Sequence, residues 1–240
     1  MVDIHSHILP GLDDGAESME EAVEMAKIAA DSGIFHIVAS SHGNFYPYTV
    51  GEYRIAFSRL QSTLEHLRIP VKLHSGMEIF LDEKVPALLE SGQLLSLNGT
   101  DYLLVEFDFE EDPDIVCERL DELHKAGYRV VLAHPERYVF IQKDIRFAGY
   151  LAGCGCVLQM NQGSLFGDFG EESRIAAVSM LNDGLIKIIA TDAHDTRLRS
   201  HDLGRAIRYL SEHFSQRSVH LWLSENPSRI LKGMTPLACK

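Results

Sequence analysis

The chain has 240 residues, a length that suits one large α/β domain or two small ones. With 45% hydrophobic and 24% charged residues, it has the composition of an ordinary globular protein that can bury a complete core. Its formal net charge of -13 argues against binding to nucleic acid, and an anionic substrate would need bound cations or arginines to reverse the local field. The sparse cysteines, a start that does not resemble a signal peptide and the lack of an apolar run of about 20 residues favour a cytoplasmic protein without membrane insertion.

Short apolar segments alternate with amphipathic segments along the chain. Strands are predicted near residues 2–5, 35–40, 71–78, 102–107, 129–133, 155–160 and 186–191. Helices are predicted near residues 18–33, 51–67, 114–126, 142–152, 171–183, 202–213 and 217–232. Several strands are almost entirely apolar, as a parallel sheet buried on both faces requires. The alternation therefore predicts an α/β fold, either a barrel or a doubly wound sheet, and the glycine-rich nucleotide-binding motifs of the latter are absent from the sequence.

Polar side chains that can bind metal ions occur where these strands end. They are His5, His7, His42, Glu78, Glu106, His134, Asp192 and His194. In a barrel, the carboxyl ends of the strands face one pocket, so residues that are far apart in sequence would converge there. Alternate residues of a strand point the same way, which lets His5 and His7 hold one ion together. Imidazole and carboxylate groups suit zinc, manganese and iron, and we interpret the set as a metal site.

Three further residues lie close to this set in the sequence. Asp14 belongs to an Asp-Asp-Gly sequence after the first strand, which is either an ordinary turn or a loop over the pocket. Arg137 and Arg199 each follow a candidate histidine, at three and five residues respectively. Guanidinium groups suit bidentate capture of phosphate, so in an acidic protein these two arginines predict an anion site.

The sequence argues against two other phosphatase chemistries. A cysteine phosphatase needs an arginine six residues after its thiolate, and none of the cysteines is followed by one at that spacing. A serine nucleophile is unsupported because no G-x-S-x-G sequence occurs. A metal-activated water is therefore the expected nucleophile.

Motifs spread over nearly the whole chain point to one family. They are Met1–Pro10, Leu12–Ala16, Gly76–Ile79, Val105–Phe107, Ala133–Arg137, Gly163–Gly167, Thr191–His194 and Glu225–Pro227. With this combination of motifs, the chain resembles the polymerase-and-histidinol-phosphatase (PHP) superfamily. Within it, the chain is most similar to the manganese-dependent protein-tyrosine phosphatases of bacterial capsule and exopolysaccharide loci.

The resemblance implies a distorted (β/α)7 TIM-like barrel of PHP type that forms a single domain over residues 1–240. It also implies two or three manganese ions, with iron or zinc as alternatives. The first ion would be held by His5, His7, Glu78 and Asp192, the second by Glu78, Glu106 and His134, and the third by Asp14, His42 and His194. Arg137 and Arg199 would bind phosphate, with Arg197 as the alternative to Arg199.

The implied substrate is a phosphotyrosine protein, the tail of a bacterial tyrosine autokinase that controls polysaccharide synthesis. Three alternatives remain open at this point. The first is a small-molecule phosphatase of the same superfamily that acts on a compound such as histidinol phosphate. The second is a metal-dependent amidohydrolase, which is disfavoured because no strand end carries a lysine. The third is a noncatalytic regulator that binds a phosphorylated kinase tail, in which metal ligands should be missing.

Overall fold

The computed structural model describes residues 1–239. The last residue of the predicted domain of residues 1–240, Lys240, lies outside this range. The strands are β1 Val2–Asp3, β2 His36–Ala39, β3 Lys72–Ser75, β4 Glu78–Phe80, β5 Tyr102–Glu106, β6 Arg129–Ala133, β7 Val157–Asn161 and β8 Ile186–Ala190. The α-helices are α1 Met19–Asp31, α2 Val50–His66, α3 Val85–Glu90, α4 Pro113–Lys125, α5 Val139–Lys143, α6 Arg146–Gly153, α7 Glu171–Asn182, α8 Gly204–His213, α9 Gln216–His220 and α10 Asn226–Ile230.

The strands are all parallel and form two sheets, with the orders β1-β2-β3 and β4-β5-β6-β7-β8. Backbone hydrogen bonds join both edges of these sheets just beyond the strands. His7 N donates to Ala193 O at 2.8 Å, which connects the ends of β1 and β8. Glu78 N donates to Ser40 O at 3.1 Å, which connects β4 to the end of β2. The strands therefore close into a ring, and the predicted α/β fold with parallel strands is confirmed.

The predicted strand at residues 71–78 is divided into β3 and β4, which explains why the ring is distorted. Gly76 lies at this break, and a Cβ atom there would come within 2.6 Å of Val38 Cγ1 and 3.0 Å of Leu97 Cδ2. Because glycine has no side chain, the chain can pass close to β2 at the point where its pairing partner changes from β2 to β5. The division allows β3 to pair with β2 while β4 pairs with β5.

The helices differ from the prediction in three places. The predicted helix at 142–152 consists of α5 and α6, and α3 was not predicted. The predicted helix at 217–232 consists of α9, a π-helical turn at Leu221–Glu225 and α10. Pro227, near the start of α10, has no N–H to donate to the preceding turn, which is one cause of such irregular helical geometry. Among residues 1–239, none of the helices combines the length and the apolar character that a membrane crossing requires.

Successive side chains of the central strands are buried in two different apolar clusters, and this division locates the site. Leu103 and Val105 of β5 belong to the core between the ring and the surrounding helices. Leu104 belongs instead to a second apolar cluster, with Ile4 and Ile188 from other strands. Side chains two residues apart on a strand point the same way, so Glu106, at the end of β5, lies on the same side as Leu104. The polar site therefore begins where the apolar interior of the ring stops.

Replacing Gly76 by alanine should lower the free energy of unfolding by about 1–3 kcal/mol, because the added methyl group overlaps β-branched Val38. Gly149→Ala is the matched control. Gly149 lies inside α6 with no atom within 4 Å of its would-be Cβ, so alanine should stabilise the protein by about 0.5–1 kcal/mol. Urea unfolding of both variants measures the difference. Equal effects of the two substitutions would contradict this account of the β3–β4 break.

Candidate metal centre

The nine side chains predicted as metal ligands lie together at the carboxyl ends of the strands. His5 and His7 follow β1, Asp14 precedes α1, His42 follows β2, Glu78 begins β4, Glu106 ends β5, His134 follows β6, and Asp192 and His194 follow β8. Their nitrogen and oxygen atoms form four overlapping groups, and within each group the atoms lie within 4.8 Å of one another. We refer to these nine residues as the ligand cluster.

Glu78 lies at the centre of the ligand cluster, with a relative exposure of 1%. Its Oε1 atom is 3.0 Å from His134 Nε2 and 3.1 Å from His5 Nε2. Its Oε2 atom is 3.1 Å from His7 Nε2 and 3.5 Å from His42 Nδ1. Each carboxylate oxygen thus faces a different pair of histidines, an arrangement that allows one carboxylate to bridge two cations.

Asp192 connects the ligand cluster to the two candidate arginines. Its Oδ1 atom is 3.3 Å from His5 Nε2 and 3.5 Å from His7 Nε2. Its Oδ2 atom accepts a 2.5 Å hydrogen bond from Arg199 Nη2 and is 3.8 Å from Arg137 Nη1. The side chain is only 1% exposed, so these partners account for its buried charge.

The loop with Asp14 lies over the ligand cluster and is more than a surface turn. Asp14 Oδ1 is 3.5 Å from Nε2 of both His42 and His194, and 46% of its side chain is exposed. The next residue must be glycine, since a Cβ atom on Gly15 would come within 1.9 Å of the carbonyl oxygen of His7. This close approach holds Asp14 beside the two histidines.

Hydrogen bonds on the outer side of three histidines fix the direction of their rings. His5 Nδ1 lies 2.8 Å from Gln159 Oε1, His7 Nδ1 lies 2.8 Å from Asp13 Oδ2, and His194 Nδ1 lies 2.9 Å from the carbonyl oxygen of Asp192. When each Nδ1–H donates to its acceptor, the Nε2 lone pair of each ring points into the cluster, as in many metal-binding histidines. These imidazoles and the nearby carboxylates fit a manganese, iron or zinc ion.

Nearby carboxylates strongly raise the pKa of two histidines of the cluster, His7 and His42. Burial lowers the pKa of His42, but hydrogen bonds to Asp14 and Glu106 outweigh burial and raise that pKa to about 11. Burial likewise lowers the pKa of His7, but hydrogen bonds to Asp13 and Glu78 raise it to about 10. The carboxylates therefore favour positive charge in their midst, which is the electrostatic requirement for binding cations.

Two residues of the cluster have left-handed backbone conformations. His134 has φ of +35° and Asp192 has φ of +53°, although neither is glycine. Each such conformation costs on the order of 1–3 kcal/mol and persists only where the surrounding structure enforces it. Both residues lie directly beyond strand ends, where this geometry turns the chain so that the side chain meets the cluster.

The two candidate arginines face the same cleft as the ligand cluster. The guanidinium carbon of Arg137 lies 4.1 Å from the ring centre of Phe109 and 4.6 Å from that of Phe169, so both rings help to hold it. Arg199 lines the cleft, whereas Arg197 is exposed and lines a separate surface depression. Of the two alternatives that the sequence left open, Arg199 is therefore the one that lies in the cleft.

The cleft has a volume of about 310 Å³ and is open to solvent. Besides the polar residues, aromatic side chains line it. They are Phe45, Tyr46, Phe80, Phe107 and Phe109. The cleft thus combines residues of the ligand cluster, two arginines and an aromatic surface. This combination suits a phosphate ester with an apolar leaving group.

Comparison with known proteins supports this interpretation. The family model described as "Capsular polysaccharide synthesis, CpsB/CapC" matches residues 1–232. The chain belongs to the CpsB/CapC family. This is the family that the sequence motifs indicated, so that expectation is confirmed.

Relatives of this CpsB/CapC protein include the tyrosine-protein phosphatase YwqE of Bacillus subtilis. YwqE is 34% identical over 237 residues, which cover 98% of this chain and 93% of YwqE. A crystal structure of YwqE superposes on this chain with a TM-score of 0.92, and the match covers 99% of this chain and 97% of YwqE. YwqE and Streptococcus pneumoniae CpsB are described there as unique metal-dependent tyrosine phosphatases. A phosphotriesterase homology protein of Escherichia coli is 13% identical, with a TM-score of 0.62 over 96% of this chain and 98% of that chain, and shares the fold alone.

A hydrogen-bonded path between two strands supports the ligand cluster from behind. Gln159 Nε2 donates to Asn161 Oδ1 at 2.9 Å, and Asn161 Nδ2 donates to Asp192 Oδ2 at 2.6 Å. Together with the His5–Gln159 contact, this path joins two residues of the cluster through β7. Gln159 and Asn161 are both fully buried, and their role was not predicted from the sequence.

Gln159→Met should weaken the binding of Mn²⁺ by about 10- to 100-fold, because it removes the acceptor that orients His5 while nearly preserving side-chain volume. Gln142→Met is the matched control, since Gln142 also donates side-chain hydrogen bonds that are partly buried, to Glu136 O and Ser173 Oγ, but these lie outside the cluster. Calorimetric titration of both variants with Mn²⁺ measures the effect. Unchanged affinity in Gln159→Met would show that this support is unimportant for metal binding.

Proposed function

We propose that the chain is a metal-dependent protein-tyrosine phosphatase that hydrolyses phosphotyrosine on proteins. The observation that carries the proposal is the shared cleft, in which Arg137 and Arg199 face the ligand cluster across Asp192. Relatives that match nearly the whole chain are named tyrosine-protein phosphatases. We further propose that residues 1–240 act as one catalytic domain.

We assign the metal ions to three positions within the cluster. His5, His7, Glu78 and Asp192 would hold the first ion, Glu78, Glu106 and His134 the second, and Asp14, His42 and His194 the third. The close groups of ligand atoms overlap these positions without coinciding with them. His7 also lies close to the third set, His42 lies close to Glu78 and Glu106 of the second, and His134 lies close to His5 and Asp192 of the first. We propose manganese as the native metal, with iron or zinc as alternatives. When bound, such ions supply a water of lowered pKa and positive charge for the phosphoryl oxygens.

The protein groups bind and orient the ester. Arg137 and Arg199 each offer N–H groups in a planar fork that matches two phosphate oxygens, and both stabilise the negative charge that spreads over those oxygens during transfer. Phe109 and Phe169 restrict Arg137, so less side-chain freedom is lost when phosphate binds. The leaving phenol has a pKa of about 10, so it departs with less help from a general acid than a serine alkoxide would need.

The substrate that we propose is a phosphorylated tyrosine kinase of capsule or exopolysaccharide synthesis, in particular its tyrosine-bearing tail. The capsular polysaccharide family and the named relatives support a phosphotyrosine protein as the substrate class. We also propose a cytoplasmic location. All four cysteines are free thiols, which suits a reducing compartment.

Removal of metal tests the mechanism directly. After treatment with a chelator, activity towards a phosphotyrosine peptide should fall by at least about 100-fold, and added Mn²⁺ should restore it. Fe²⁺ and Zn²⁺, added separately, identify the preferred ion. Full activity in protein shown by elemental analysis to be free of metal would refute the proposed chemistry.

The substrate class is tested with the metal-loaded enzyme by comparing kcat/KM for a phosphotyrosine peptide and for histidinol phosphate. We expect the peptide to be preferred by at least about tenfold, since the cleft is open and lined by aromatic rings. The reverse preference would favour a small-molecule phosphatase. Tight binding of the peptide without turnover would instead favour a noncatalytic regulator.

Arg199→Ala should lower kcat/KM for the phosphotyrosine peptide by about 100- to 1000-fold, because a donor aimed at the phosphoryl group is lost. Arg197→Ala removes the same charge two residues away, outside the cleft, and should change kcat/KM by less than about twofold. Steady-state kinetics of the two variants make the comparison. Similar losses in both would mean that only general positive charge matters at this position.

A further inference from the structure

The segment after β2, residues 43–48, forms one border of the cleft, and we call it the rim loop. It is anchored to β4 by a reciprocal pair of hydrogen bonds between the side-chain amide of Asn44 and the backbone of Phe80. Asn44 Nδ2 donates to Phe80 O at 2.8 Å, and Phe80 N donates to Asn44 Oδ1 at 3.0 Å. Gly43 N also donates to Glu78 O at 2.7 Å. These bonds fix the rim loop relative to a residue of the ligand cluster.

The anchored loop presents an aromatic surface, made of Phe45, Tyr46 and Phe80, which we call the aromatic wall. The ring centres of Phe45 and Phe80 are 5.7 Å apart, and those of Phe45 and Tyr46 are 5.9 Å apart. The Tyr46 ring is stacked on His42 at 5.6 Å with an interplanar angle of 24°. The wall therefore stands directly beside the ligand cluster and is continuous with it.

The apolar area of this wall remains available for a ligand. Phe45 is 66% exposed, although burying such a ring would contribute about 1.5–3 kcal/mol. Outside the wall, Phe107 is only 2% exposed, and Phe109 is partly buried with Arg137 over its ring. An exposed ring on a fixed loop beside a polar site is typical of a recognition surface.

We propose that the aromatic wall is the specificity surface that packs against the phenol ring of the substrate and so selects aryl phosphates over alkyl phosphates. The inference rests on the proposed phosphatase function, and it names the residues that would give the enzyme its preference for phosphotyrosine. A phosphate held by the arginines and the cluster brings an attached aromatic ring alongside Phe45 and Tyr46. The side chain of phosphoserine has no ring, so it cannot make this contact.

Phosphonate inhibitors separate this contact from the leaving-group chemistry, because they are not hydrolysed. In metal-loaded Phe45→Ala, the inhibition constant of phenylphosphonate should rise by about 3- to 10-fold, which corresponds to loss of an aromatic pair. The inhibition constant of methylphosphonate should change by less than about twofold. Phe45→Trp should restore the binding of phenylphosphonate. The ratio of the two constants is insensitive to any loss of correctly folded enzyme.

Phe35→Ala is the matched control, since Phe35 is also an exposed phenylalanine, at 44%, but precedes β2 and lies outside the cleft. It should leave both inhibition constants unchanged. Equal weakening of both phosphonates in Phe45→Ala, or no change in either, would overturn the role of the aromatic wall. Neither result would affect the proposed function, which fails separately if the metal-loaded wild-type protein does not hydrolyse a phosphotyrosine peptide.

Discussion

The burial of negative charge at the carboxyl ends of the strands is the constraint on which the rest of the site depends. Glu78 and Asp192 are each 1% exposed, and an isolated carboxylate in such surroundings would be very unfavourable. Four histidines surround Glu78, while Arg199 and Arg137 approach Asp192. Stability therefore requires compensating positive charge at the same place where phosphate chemistry would use it.

The meeting of the cluster residues other than Asp14 could be predicted from the sequence because it follows from the direction of the strands. In a ring of parallel strands, every carboxyl end opens on the same side, so the sequence distance between His5 and His194 is irrelevant. Each residue needs only to follow an apolar strand, and such strands are visible as local patterns. The same reasoning explains why Arg137, four residues beyond such a strand, was also placed near the site.

Other features could not be predicted because no local pattern encodes them. Gln159 meets His5 across 154 positions in the sequence, and nothing within β7 distinguishes it from an ordinary buried polar residue. Phe169 reaches Arg137 from the loop before α7, where loop geometry decides the contact. The break between β3 and β4 depends on the close approach of Gly76 to Val38, which is a property of packing between strands.

The position of Asp192 explains how a protein with a net charge of -13 can accept an anionic substrate. Its Oδ1 atom faces two histidines of the cluster, while its Oδ2 atom accepts hydrogen bonds from Arg199 and Asn161. One carboxylate therefore sets the separation between the guanidinium group and the cation-binding groups. Because charges farther away than about 10 Å are largely screened at physiological salt, the acidic outer surface matters little to phosphate inside the cleft. The local arrangement around Asp192 therefore matters more to a bound phosphate than the net charge does.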